Sequence, residues 1–258
     1  MKARPIVALA RAVVLESIRR KDLWVVAILG FLIILSAGTL GFFGVKGLEV
    51  FAKDLAVTVL GVFGSIIAVL TSCRVLPDEV KNRTLYPLLA RPITRFGLVL
   101  GKFLGAVAVS WIAFLMLAVL TAIALVIFRV PFEPIMLQYL VAKMMGLVVV
   151  CALSMALSVV LTPSAAATVG FILVFGSSMI VRALVMGYDA APPAGRALFK
   201  LLAAVLPQLN LFDLGGRVTY VGWGPVPLWV LGTLFSYMTL YSAAMIGLAW
   251  ARFRRQAL

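Results

Sequence analysis

The chain has 258 residues, 64% hydrophobic and 12% charged, against roughly 45–50% and 25% in an average soluble domain, which excludes a water-soluble globular fold. Its 23 Lys and Arg outnumber 9 Asp and Glu to give a net charge of +14, but they gather at the ends of apolar runs. There cations face anionic lipid headgroups, and the long spans leave little surface for nucleic acid, so nucleic-acid binding is set aside.

There is no histidine, which removes His-based zinc sites, Ser/His triads and histidine proton relays. Cys73 and Cys151 fall within apolar runs and read as small membrane-buried hydrophobes rather than a disulfide. No Pro/Ser linker or low-complexity tract divides the chain, so residues 1–258 read as a single all-α membrane domain.

In chain order, residues 1–21 resemble a signal peptide only at first. Arg11 interrupts the apolar core and no small-residue cleavage site precedes Arg19-Arg20-Lys21. Ile6, Leu9, Ala10, Val13 and Val14 form a helical stripe that Arg4 and Arg11 avoid, as in an amphipathic helix lying on the membrane surface; a plain cationic flank of the first span is the other reading. Six apolar runs then follow near 23–43, 55–75, 104–128, 136–161, 165–186 and 226–251, each near the roughly 20 residues that cross the hydrocarbon core.

Orientation follows from the cations. Lys2, Arg4, Arg11, Arg19, Arg20 and Lys21 precede the first span, six more lie within 74–102, and Arg252, Arg254 and Arg255 end the chain. Lys46, Lys53, Arg129, Arg196, Lys200 and Arg217 are left for the other side. Six spans with both termini cytoplasmic satisfy this bias. Thr162-Pro163-Ser164 then makes a tight cytoplasmic hairpin between spans four and five. Segment 197–212, broken by Pro207, reads as a re-entrant or interfacial element on the outer side. Gly97, Gly101 and Gly105 repeat every four residues where the third span begins, a face on which another helix packs closely, or simply glycines suited to a crowded helix start.

The six runs hold no Asp or Glu. Asp54 lies at a boundary, while Lys143 and Arg182 fall near the outer face, where long stems snorkel; no internal ion-coupling site is evident. Gly97 to Phe103 mimics a P-loop but has three residues between its glycines, and Phe103 stands where Mg-binding Ser or Thr belongs. The chain therefore has no nucleotide site of its own and is not expected to be an enzyme. Any uphill transport draws its energy from another polypeptide.

Between spans two and three, segment 77–95 is too elaborate for a plain loop. Asp78 and Glu79 suit the positive end of a short helix carrying Leu85, Leu88 and Leu89, with Pro87 kinking it and Pro92 its limit. Spacing alone leaves two readings open: a contact for a cytosolic protein, or an amphipathic loop on lipid headgroups.

Glu79, Asn82-Arg83-Thr84-Leu85, Leu88-Leu89-Ala90-Arg91-Pro92-Ile93 and Gly101-Lys102, with Leu206-Pro207-Gln208-Leu209-Asn210-Leu211-Phe212-Asp213 and Phe253-Arg254-Arg255, together resemble the type-2 ATP-binding-cassette permease family, the membrane subunits of many bacterial exporters. The resemblance spans essentially the whole chain. It implies a multi-pass protein of the bacterial cytoplasmic membrane whose coupling helix, within about 78–91, sits in a groove of a cytosolic ABC ATPase. It also implies a second permease chain, identical or paralogous, and a solute path between the two lined by spans two and five. ATP and Mg would bind the partner ATPase, with no cofactor or metal in this chain. Asp78, Glu79, Arg83, Thr84, Leu85, Leu88, Leu89, Arg91 and Pro92 are the expected ATPase-coupling residues. Within that set Glu79 and Arg83 act as polar anchors, Leu85 and Leu88 as an apolar plug, and Pro92 as the hinge-like end. Two other classes remain open: a non-transporting anchor or regulator that recruits a cytosolic ATPase, and a lipid-modifying intramembrane enzyme, for which no general base is evident.

Overall fold

A computed structural model of the protein describes residues 3–21, 24–25, 28, 30–31, 48–81, 94–127, 129–188, 192, 195–197, 199–200, 206–219 and 224–255. The described residues are mostly helical, with no strand among them. In chain order the helices are α1 (Ala3–Arg19), α2 (Leu48–Lys81), α3 (Arg95–Ile127), α4 (Pro134–Val160), α5 (Pro163–Tyr188), α6 (Gly215–Thr219) and α7 (Leu228–Arg255), with a 3-10 turn at Leu209–Phe212. Five of these, α2, α3, α4, α5 and α7, are long and apolar enough to cross a membrane. The expected span at 23–43 falls largely outside the described residues.

Bilayers leave backbone groups no water to bond, so apolar runs close their hydrogen bonds internally as helices. The helices extend past the apolar runs at several ends, because backbone geometry outlasts hydrophobicity. α2 begins at Leu48 rather than near 55, and α3 at Arg95 rather than near 104. Lys53 and Asp54, expected in a loop and at a boundary, are therefore helical. α1 and α3 each end beside a residue with left-handed backbone, Lys21 (φ 60°) and Arg129 (φ 55°).

The hairpin expected at Thr162-Pro163-Ser164 is present. α4 stops at Val160 and α5 starts at Pro163, where the missing proline N–H costs nothing in a first turn. α4 runs through the middle of the bundle. Leu147, Val149, Cys151, Ala152 and Met155 are buried against neighbours, while α5 and α7 expose Ile172, Met179, Met186, Leu228, Trp229 and Leu240. Two ends result. One holds α1, the hairpin and the last turns of α2 and α7; the other holds the 3-10 turn, α6 and the first turns of α2, α4 and α7.

Candidate functional site

At the α1 end, the glycine repeat of α3 receives α1. A methyl group on Gly105 would stand 2.7 Å from Val13 Cβ and 3.1 Å from Ala10 Cα, and one on Gly101 would stand 3.0 Å from Leu9 Cβ. The stripe of α1 is thus spent on a protein surface, with Leu9 and Val13 buried, while Val7, Leu15 and Ile18 remain exposed. Gly97 is buried in the first turn of α3, its N–H donating to Thr94 Oγ1 at 3.1 Å. Phe96 meets Trp250 of α7 edge-on, and Arg95 Nη1 donates to the carbonyl of Arg254. Lys102 and Phe253, from the resemblance motifs, are both buried.

The structure corrects the expected helix start at Asp78. α2 continues through Pro77 to Lys81, so Asp78 and Glu79 occupy the last turn of a long helix rather than the first turn of a short one. Carboxylates there meet the negative end of the helix dipole. Arg20 compensates: its Nη2 lies 3.0 Å from Asp78 Oδ2 and 2.8 Å from Glu16 Oε1. These side chains are partly exposed, so the pairs orient α1 against α2 more than they stabilise the fold. The side chain of Glu79 is outside the described residues, as are Arg83, Thr84, Leu85, Leu88, Leu89, Arg91 and Pro92.

At the opposite end lie groups that sequence reasoning missed. Lys53, only 1% exposed, places its Nζ 2.7 Å from Glu133 Oε1 and 3.1 Å from Glu49 Oε1. A buried ammonium is tolerable only when paired and hydrogen-bonded, and here the carboxylates keep contact with solvent. Glu49 precedes Lys53 by one turn, a visible signal, but Glu133 is 80 residues away. One turn deeper, Tyr139 Oη donates to the carbonyl of Val57 at 2.9 Å. Gln138 clamps the backbone of Val226, donating from Nε2 at 2.9 Å and accepting from the amide at 2.7 Å.

The described part of segment 197–212 inserts rather than lying loose. Phe212 is 1% exposed, seated where a methyl on Gly146 would be 3.0 Å from its Cβ, with its ring 5.9 Å from that of Tyr237 and tilted 47° to it. The Tyr237 hydroxyl accepts from the amide of Gln208 at 3.0 Å. Asp213 Oδ1 accepts from the Gly215 amide, and its Oδ2 lies 3.7 Å from Lys143 Nζ. Lys143, expected to snorkel, is instead held by this partner, and Gly61 of α2 makes room for its ammonium.

Between α2, α4, α5 and residues 209–216 these contacts leave a pocket of about 380 Å³, within the range of small-molecule sites. α2 contributes Asp54, Val57, Thr58, Gly61, Val62 and Ser65, one complete helical face, and α4 contributes Lys143, Gly146, Leu147 and Val150 in the same spacing. Val174, Phe175 and Ser178 of α5 form the far wall. Among the described residues, no group of three or more His, Cys, Asp or Glu is arranged to hold a metal.

No curated protein matches the chain. The family model described as ABC-2 family transporter protein matches residues 7–258. The chain thus belongs to the ABC-2 family, as a multi-pass membrane permease subunit of an ABC transporter.

Proposed function

We propose that the protein is the permease of a bacterial exporter in the cytoplasmic membrane. In this reading two permease chains pair with two cytosolic ABC ATPases, both termini face the cytosol, and ATP and Mg act only on the ATPases. Closure of the ATPases presses on residues 78–91, and the helices carry that motion to the opposite end, where the pocket between α2 and α5 opens outward. The cation bias puts the α1 end inside and therefore the pocket, at the opposite end, outside.

The observation that carries this reading is the bracing of the root of segment 78–91. α2 runs unbroken from the pocket to Lys81, Arg20 ties Asp78 to α1, and α1 is seated against the glycines of α3. A load applied just beyond Lys81 therefore reaches three helices at once, and packed helices move as bodies rather than yield.

The test is co-purification of the permease with its ATPase after Glu79→Lys and Leu88→Asp, with solute-stimulated ATP turnover measured in parallel. Both substitutions should weaken association and uncouple turnover. Undiminished binding with full stimulated turnover in both variants defeats the assignment of the coupling segment.

A further inference from the structure

The pocket has a charge and shape that specify a class of ligand. Its α2 wall runs from Asp54 to Ser65, roughly 16 Å at 1.5 Å per residue. Exposed Asp54 and Asp213 mark the mouth, and half-buried Val62, Val174 and Ser178 lie farther in. Among the described lining residues there are two carboxylates, Asp54 and Asp213, and one ammonium, Lys143, a formal surplus of one negative charge. Lys143 is taken up by Asp213. Asp54 has no ion pair or hydrogen bond among the described residues, and the same holds for the hydroxyls of Thr58 and Ser178.

We infer that this pocket binds a drug-sized amphiphile bearing one positive charge, with its cationic group against Asp54 and its apolar body against Val62, Leu147, Val150, Val174 and Phe175. The inference deepens the permease reading and rests on it for the ligand's role as cargo. The apolar walls supply most of the affinity, since transfer of carbon surface from water is favourable in proportion to area. Asp54, being exposed, supplies selection by sign, because a charge in a cleft with low-dielectric walls focuses its field along the opening. A volume of about 380 Å³ holds one compact molecule and not the two acyl chains of a whole phospholipid. An anionic amphiphile of the same shape meets the surplus negative charge and is rejected.

The native thiols make a direct test available, because Cys73 and Cys151 are fully buried. In the full chain in lipid nanodiscs, Ser178→Cys becomes the reactive thiol, and its modification is timed with methanethiosulfonates of similar size carrying a trimethylammonium or a sulfonate. Relative to the ratio measured with a small free thiol, whose thiolate itself favours the cation, the cationic reagent should react about tenfold faster, the ratio one charge several ångströms away produces in a water-like dielectric. Adding Asp54→Asn should bring the ratio close to that of the free thiol. Tetraphenylphosphonium should protect the thiol, and tetraphenylborate, of nearly the same shape and opposite charge, should not.

A rate ratio no higher than that of the free thiol, protection by both ions, or protection by neither overturns the proposal. If Ser178→Cys does not fold, Thr58→Cys, one turn from Asp54, gives the same readout. Labelling needs no ATPase, so the two readings fail separately. Charge-selective protection in a chain that passes ATPase binding untouched through Glu79→Lys and Leu88→Asp sinks the coupling scheme alone. Weakened ATPase binding in those variants with no charge-selective protection sinks the pocket alone.

Discussion

Replacing Gly105 by Ala adds a single methyl group at the seam between α1 and α3. It would lie 2.7 Å from Val13 Cβ, 3.0 Å from Val13 Cγ2 and 3.1 Å from Ala10 Cα, where ordinary carbon contacts need roughly 3.5–4.0 Å. None of these atoms is the tip of a flexible side chain. Relief therefore requires α1 to withdraw by about 1 Å, and overpacking of this kind costs about 1–3 kcal/mol. Alanine returns about 1 kcal/mol through its better helix propensity, leaving a net loss of about 0–2 kcal/mol.

Gly101→Ala should cost less, since its nearest neighbours are Leu9 Cβ at 3.0 Å and the rotatable Leu9 Cδ1 at 3.1 Å. Gly232→Ala, in α7 with nothing within 4 Å, keeps only the propensity gain and serves as the matched control. Unfolding free energies from denaturant titration in mixed micelles should rank the variants Gly232→Ala, Gly101→Ala, Gly105→Ala, from most to least stable. If Gly105→Ala proves as stable as Gly232→Ala, α1 is not seated in the glycine face and the bracing argument fails.

Three further outcomes follow from the same structure. Lys53→Met keeps the volume but removes the ammonium between Glu49 and Glu133; because those carboxylates are 47% and 35% exposed, the loss should be about 1–3 kcal/mol, below the 3–5 of a wholly buried pair, read as a lower denaturation midpoint. Glu133→Gln should cost less, since Glu49 still faces the ammonium. Gln138→Leu removes both bonds to Val226, so amide exchange at Val226 should accelerate while exchange at Val149 stays slow; equal protection at Val226 in mutant and wild type would discount the clamp. Cys73 and Cys151 should resist thiol reagents in the folded chain and react in SDS, and rapid labelling without denaturant would contradict their burial.

The amino-acid sequence by itself determined five of the apolar runs that the structure shows as helices long enough to cross a bilayer, that α1 is amphipathic, that a tight turn joins α4 to α5, and that Gly101 and Gly105 lie on one helical face. These are local matters: a run must be apolar over the membrane's thickness, and helical periodicity repeats within a few residues, so neighbours along the chain carry the information. The partner of the glycine face was not legible, because α1 reaches it from nearly a hundred residues away. The helix ends were misjudged for a related reason. Hydrophobicity marks where lipid begins, and α2 runs past that point at both ends, carrying Lys53 and Asp54 at one and Asp78 at the other.

Only the tertiary structure decided that Lys53 is buried between Glu49 and Glu133, that Lys143 answers Asp213, and that Asp54 is left facing a pocket. Each depends on segments about 70 to 160 residues apart being brought within a few ångströms. A charge read along the chain is only an exposed cost in a membrane protein. Its meaning is set by what the fold places opposite, since Coulomb energy falls with distance through space and is blind to distance along the chain.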